Sequence, residues 1–186
     1  SAQAQHTGHE GWKAVTSGNK RTLTDGQYYL KDDFKGDIVI KGQVELCLNG
    51  HSITGTGTGS VITVSDGASL TLHDCGESGC ITGGQATEGG GIFLGEGSAL
   101  SMEGGCITGN QATRGGGIYA GENSLLSVSG GEMVENVSKS GGGIYAKCPA
   151  EISSCLIKGN TAEYNGAGIY GGAGRACRGG GGRGGG

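Results

Sequence analysis

Gly89-Gly90-Gly91-Ile92-Phe93-Leu94 returns as Gly115-Gly116-Gly117-Ile118-Tyr119-Ala120 and again as Gly141-Gly142-Gly143-Ile144-Tyr145-Ala146. A degenerate fourth copy reads Gly166-Ala167-Gly168-Ile169-Tyr170. The isoleucines stand 26, 26 and 25 residues apart (92 to 118, 118 to 144, 144 to 169). A fixed period of this size marks a solenoid, in which each repeat buries its apolar face only by stacking on its neighbours. Within a repeat, Ile118-Tyr119-Ala120 leads through the turn Gly121-Glu122-Asn123-Ser124 to Leu126-Ser127-Val128, and then through Gly130-Gly131 to Met133-Val134-Glu135-Asn136. Three short strands separated by Gly, Asn and Ser corners describe one triangular coil. Alternation along a strand sends Ile92, Ile118, Ile144 and Ile169 inward as one ladder, with Leu100, Leu126 and Ile152 as a second. The expected fold is all-β, a right-handed parallel β-helix of about 26 residues per coil with an N-terminal cap.

Working outward, Val44-Glu45-Leu46-Cys47-Leu48, Val61-Ile62-Thr63-Val64 and Leu70-Thr71-Leu72 read as earlier, less regular coils, with Asn49-Gly50 and Asp66-Gly67 as corners. Residues 1–36 gather Trp12, Tyr28, Tyr29 and Phe34 where the repeat is absent, as expected of a cap over the open core. The β-helix is assigned to 37–172 and a Gly/Arg-rich tail to 173–186. No Leu-Ser-Val segment follows Tyr170, so the final coil is expected to be incomplete. An open coil end exposes unpaired backbone groups and invites another copy, which gives the expectation of a homo-oligomer or filament through the coil ends.

The 45 glycines and one proline among 186 residues make about a quarter of the chain, near the level at which disorder becomes the default. That default requires an absence of period, and these glycines are periodic. The net charge of −4 implies no general polyanion-binding surface, so no nucleic-acid partner is expected. Three arginines in the tail, without interleaved aromatics, do not alter that. No apolar run is long enough for membrane insertion by a helix. The start Ser1-Ala2-Gln3-Ala4-Gln5 suits a mature secreted chain, and seven cysteines lean toward an oxidising compartment. The expected location is secreted or at the cell surface.

The pairing of Gly115-Gly116-Gly117-Ile118 with Ile107-x-x-Asn110, Met133-x-x-Asn136 and Ile157-x-x-Asn160 resembles the glycine-rich parallel β-helix repeats of bacterial surface proteins. It is similar to the repeats of polymorphic outer membrane proteins, where a Gly-Gly-Ala/Gly-Ile element pairs with Phe-x-x-Asn. Aliphatic residues replace the phenylalanine here, and the first copy, Ile81-Thr82-Gly83-Gly84, lacks the asparagine. The segment from Tyr28-Tyr29-Leu30 through Leu46 to Ile53 also looks like the opening of surface β-helices from anaerobic gut bacteria. The resemblance covers roughly residues 28–172 and implies a pectin-lyase-like fold and a bacterial setting. It implies no activity, because that fold hosts lyases, hydrolases, adhesins and passive stalks.

Carbohydrate-active β-helices need convergent charged groups: carboxylates for Ca²⁺ with a basic residue in lyases, or two or three carboxylates roughly 5–10 Å apart in hydrolases. Here the acids fall singly or at corners, Glu96 and Glu122 in matching Gly-Glu turns included. The expectation is therefore no catalytic residue, with a small polysaccharide lyase or hydrolase as an alternative. Phe93, Tyr119, Tyr145 and Tyr170 follow the ladder isoleucines and should form an outward aromatic stripe with rungs about 4.8 Å apart. Stacked on one another they stabilise the coils, and turned to solvent they make an adhesin's glycan-binding surface. Asn110, Asn136 and Asn160 form a polar ladder read as structural.

Cys80 and Cys106 occupy equivalent positions on adjacent coils, and the rung spacing lies within disulfide reach. Cys75–Cys80 and Cys148–Cys155 compete with that pairing, and Cys47 or Cys177 is the leftover thiol. His6-x-x-His9 has metal-like spacing but no helix or further fixed ligands, so no metal and no cofactor are expected. His51 and His73 follow apolar strand segments and are read as corner hydrogen-bonding groups. Asp32, Asp33 and Asp37 approach His73 and Asp74 only if the cap folds back.

Overall fold

The computed structural model describes residues 6–18 and 20–171 and the backbone of 175–178. Among the described residues, the strands form four parallel sheets, of eight, seven, six and four strands, wound as a β-solenoid with no helix. One coil visits all four: Ile92–Leu94 in the seven-stranded sheet, Ala99–Met102 in the eight-stranded, Cys106–Thr108 in the six-stranded and Gln111–Arg114 in the four-stranded. The coil is four-sided where three sides were expected. The fourth strand recurs at Gln85–Glu88, Val137–Ser140 and Thr161–Asn165. It carries little apolar signal, since only Ala112 and Ser138 of its central residues are buried.

The isoleucine ladder is in register: Ile62 pairs with Ile92, Ile92 with Ile118, Ile118 with Ile144 and Ile144 with Ile169. Ile62, Ile92, Ile118 and Ile144 are fully buried, and Ile169 on the last described coil is 36% exposed. Each fully buried rung contributes about 1.5–3 kcal/mol relative to exposure. The second ladder differs from its expected membership. Leu100 pairs with Leu126, but Leu126 pairs with Ala150, and Ile152 joins the Met102–Val128 ladder instead. The corner between Ala146 and Ala150 is two residues shorter than its counterpart between Ala120 and Leu126, which moves Ile152 two places along the ladder and leaves its side chain on the same face. A third ladder, Ile53, Ile81, Ile107 and Met133, lines the six-stranded side.

The glycine triplets have a packing reason. A Cβ on Gly91 would lie 2.6 Å from the carbonyl oxygen of Gly117 and 2.7 Å from Ile107 Cγ2. Successive corners therefore stack backbone on backbone, and Gly91, Gly117 and Gly143 donate N–H groups to the corner one coil on. Pairing begins upstream of residue 37. Lys13–Val15 pairs with Gly26–Leu30, and Lys20–Leu23 with Asp37–Ile40, so the part assigned to the cap supplies strands, with residues 6–12 as a covering segment. Early coils are uneven: Tyr28 pairs with Leu46, Leu46 with Leu72 and Leu72 with Met102. Of the tail, a strand at Arg175–Arg178 pairs with Ala150–Ser153. The Cys177 side chain and residues 179–186 lie outside the described residues, as does the expectation of assembly through the tail.

Candidate functional site

Outward rows of the solenoid bring together side chains distant in sequence. Phe93, Tyr119, Tyr145 and Tyr170 do form a continuous stack, with ring centroids 5.5, 5.6 and 4.9 Å apart. Arg114 lies 5.7 Å from the Tyr119 ring and 5.8 Å from the Tyr145 ring and pairs with Glu88. Under this cover Tyr119 is only 4% exposed, whereas Tyr170 is 37% exposed. The stripe therefore packs chiefly on itself at its centre, and Phe93, Tyr145 and Tyr170 retain the exposed ring area.

Across the glycine corner, the four-stranded side carries a lateral groove of about 720 Å³ lined by Gln85, Thr87, Gln111, Thr113, Lys139 and Glu163 among others. Gln85 and Gln111 are register partners, and so are Glu88 and Arg114. Glu96 and Glu122 are exposed at stacked corners, with Lys147 Nζ 3.9 Å from Glu122. On the six-stranded side Cys80 and Cys106 are register partners. Burial, first of all, pushes the Cys106 thiol up to about 12, and the neighbouring Cys80 acts in the same direction.

The asparagine ladder is buried at the corner before the four-stranded side. Asn136 Nδ2 donates to Ile107 O and to Asn160 Oδ1, and Asn160 Nδ2 donates to Met133 O. Asp33 meets His51 at 3.3 Å and accepts from the Ser52 N–H, whereas Asp37 accepts from Thr56. Asp74 is buried and accepts from the N–H groups of Gly50 and Gly79. His73 instead stands on the strand Ser69–His73 between two carboxylates, with Glu45 at 3.1 Å and Glu103 at 2.9 Å.

The densest convergence lies beside that histidine. Tyr29, Cys47 and His73 share one row of the eight-stranded sheet. Alternation turns Cys47 outward from the core, yet it is fully buried, because residues 6–12 fold over this face. A tight turn shapes that segment, with the Trp12 N–H donating to His9 O and Gly11 at φ 79° in the third position. The His9 ring stacks on Tyr29 at 4.5 Å, the His6 ring stacks on Trp12 at 4.6 Å, and His6 meets His73 edge-on at 5.2 Å.

These contacts aim four metal-ligating side chains of two types, imidazole and thiol, at one point. His6 Nε2 and His9 Nε2 are 2.9 Å apart, Cys47 Sγ and Cys75 Sγ 3.2 Å, and Cys75 Sγ and His9 Nε2 3.6 Å. All four donor atoms lie within 4.8 Å of one another. Burial lowers the pKa of His6, with His73 adding to it, and burial lowers that of His9, with His6 adding to it. Both shifts favour the neutral imidazole, the form that ligates a metal. Burial pushes the Cys47 thiol up to about 12, against N–H groups of Cys75 and Asn49 that favour its thiolate. Glu45 stays below its ordinary value: burial works to raise it, and Gln27, His73 and His6 together outweigh burial.

Sequence reasoning singled out the His6-x-x-His9 spacing and the Cys47 thiol separately and did not join them. The available signal was two cysteines 28 residues apart, about one coil, on the sheet face that the N-terminal segment covers. No known protein family, curated protein or solved structure matches this chain.

Proposed function

We propose that this chain is a non-catalytic structural module of a secreted or cell-surface protein, a rigid parallel solenoid that presents repeated lateral rows. The observation that carries this reading is how the polar and aromatic rows of successive coils are engaged with one another. The aromatic stripe stacks on itself, Arg114 bridges Glu88 and two tyrosines, and the corner asparagines bond one another. Such rows stiffen a stack, while hydrolysis or elimination needs acid and base groups aimed at a shared substrate atom. The resemblance to glycine-rich bacterial surface repeats supports the same reading. The test is incubation with polyuronates and neutral polysaccharides, assayed for new reducing ends and for unsaturated uronides. No turnover is expected. Turnover abolished by Glu88→Gln or Arg114→Ala would replace this reading with a lyase or hydrolase.

The groove on the four-stranded side favours one further reading, an adhesin that holds an extended glycan. Its amide and hydroxyl groups repeat along the coil axis and suit the repeating hydroxyls of a polysaccharide, and Tyr145 stands across the corner. Glycan-array binding that is lost in Gln111→Ala and Tyr145→Ala, with unchanged circular dichroism, is the expected sign. An array without binding removes this reading.

A further inference from the structure

We propose that His6, His9, Cys47 and Cys75 bind one zinc-class divalent ion, which clasps the N-terminal segment onto the outer face of the eight-stranded sheet. The donor set is two imidazoles and two thiols, the combination that selects tetrahedral zinc over the oxygen-seeking cations. Around a tetrahedral zinc with bonds of about 2.0 Å to nitrogen and about 2.3 Å to sulfur, neighbouring donors stand about 3.3–3.8 Å apart. The separations of 2.9, 3.2 and 3.6 Å already bracket the short end of that range, and the remaining pairs reach no further than 4.8 Å. Closing the shell asks the N–N and S–S pairs to open by about 0.4–0.6 Å and the longest N–S pair to shorten by at most about 1.3 Å.

Two observations around the donors agree. The Cys75 backbone N–H donates to Cys47 Sγ at 3.5 Å, an outer-shell bond of the kind that steadies a metal-bound thiolate. Glu45 and Glu103 flank the adjacent His73 and add negative potential beside a dication. Binding is balanced in charge: each thiol loses its proton to solvent, and the two thiolates and two neutral imidazoles leave a Zn²⁺ site with no net charge. Four protein donors leave no open position, which makes the site structural.

The order of the chain gives the site its purpose. His6 and His9 belong to a segment outside the sheets, while Cys47 lies on the strand Gln43–Cys47 and Cys75 in the turn after Ser69–His73. The ion therefore ties the covering segment to two successive coils.

The experiment is a Co²⁺ titration of the reduced full chain without oxygen, followed by Zn²⁺ competition. The expected result is one Co²⁺ per chain, thiolate-to-cobalt charge-transfer bands with tetrahedral ligand-field bands, and displacement by Zn²⁺. A His6→Ala/His9→Ala double variant, which leaves every strand intact, should lose the tetrahedral bands. A Cys80→Ser/Cys106→Ser double variant, altered on the six-stranded side, should keep them. Zinc should also slow cleavage after the exposed Glu10 by a glutamate-specific protease, and the histidine double variant should lose that protection. A folded, reduced chain without thiolate–cobalt bands overturns the proposal, as do bands that survive the histidine double variant or vanish in the Cys80/Cys106 variant. A Cys47–Cys75 disulfide that forms in the presence of stoichiometric zinc overturns it as well.

Discussion

Asn110 and Asn136 stand at equivalent corners of successive coils, and one oxygen joins them twice. Asn136 Oδ1 accepts from Asn110 Nδ2 at 3.1 Å and from the Asn110 backbone N–H at 3.1 Å. The same arrangement links Asn136 to Asn160 at 3.0 Å. Both Asn110 and Asn136 are essentially inaccessible to water, at 1% and 0% exposed. Asn136→Ala should therefore strand a buried N–H and cost about 1–3 kcal/mol. Equilibrium urea unfolding measures it. Asn136→Asp keeps the acceptor for Asn110 but loses the donors to Ile107 O and Asn160 Oδ1 and buries a carboxylate against both oxygens, so at neutral pH it should cost at least as much as the alanine variant.

The glycines divide by what surrounds them. At Gly91 an added Cβ meets backbone, so Gly91→Ala should cost about 3 kcal/mol or more through displaced coils. Gly97 has φ +66° and open space around it, and asparagine tolerates that conformation. Gly97→Asn should cost less than about 1 kcal/mol. Thermal melting of the two variants side by side checks the contrast, and equal losses would refute the stacked-backbone explanation.

Arg114 joins an ion pair with Glu88 to two aromatic faces, yet about a third of its side chain meets solvent. Exposed pairs and cation–π contacts each contribute about 0.5–1 kcal/mol. Arg114→Ala should lower stability by about 1 kcal/mol and uncover Tyr119. Quenching of tyrosine fluorescence by acrylamide should increase in that variant.

Asp33 carries the clearest acid-range signature. The Ser52 N–H, first of all, holds its carboxyl below 3.8, with His51 adding to this. A carboxyl whose pKa is lowered by folding contributes stability above its unfolded value, and loses it as pH falls from 3.8 through the lowered value. A carboxyl NMR titration should place Asp33 below 3.8, and His51→Ala should move it part of the way back.

The metal-ligand cluster was scarcely legible in the sequence, for a reason its residues make plain. The Cys47–Cys75 spacing is 28 and His9–Cys75 is 66, neither of which is a 26-residue rung. Early coils vary in length, so the contacts of His73 with Glu45 and Glu103 follow no fixed period. Cys47 alternates outward, which a sequence reader takes as exposed, and only the folded-over segment 6–12 buries it. The two-residue shift at Ile152 has the same origin, in a shortened corner whose length does not reveal its register.

What the sequence determined alone is whatever repeats. Inward isoleucines, corner asparagines, stacked aromatic rings and the Cys80–Cys106 register follow from strand alternation at one coil spacing, and each is local or one coil away. Tertiary structure decided what does not repeat: the fourth side of the coil, the cover over Tyr119, and the meeting of His6 and His9 with Cys47 and Cys75. Periodic burial can be read in one dimension because its energy is the same on every coil. A contact made by a segment that leaves the coil depends on where that segment lands, and only the packed chain fixes that.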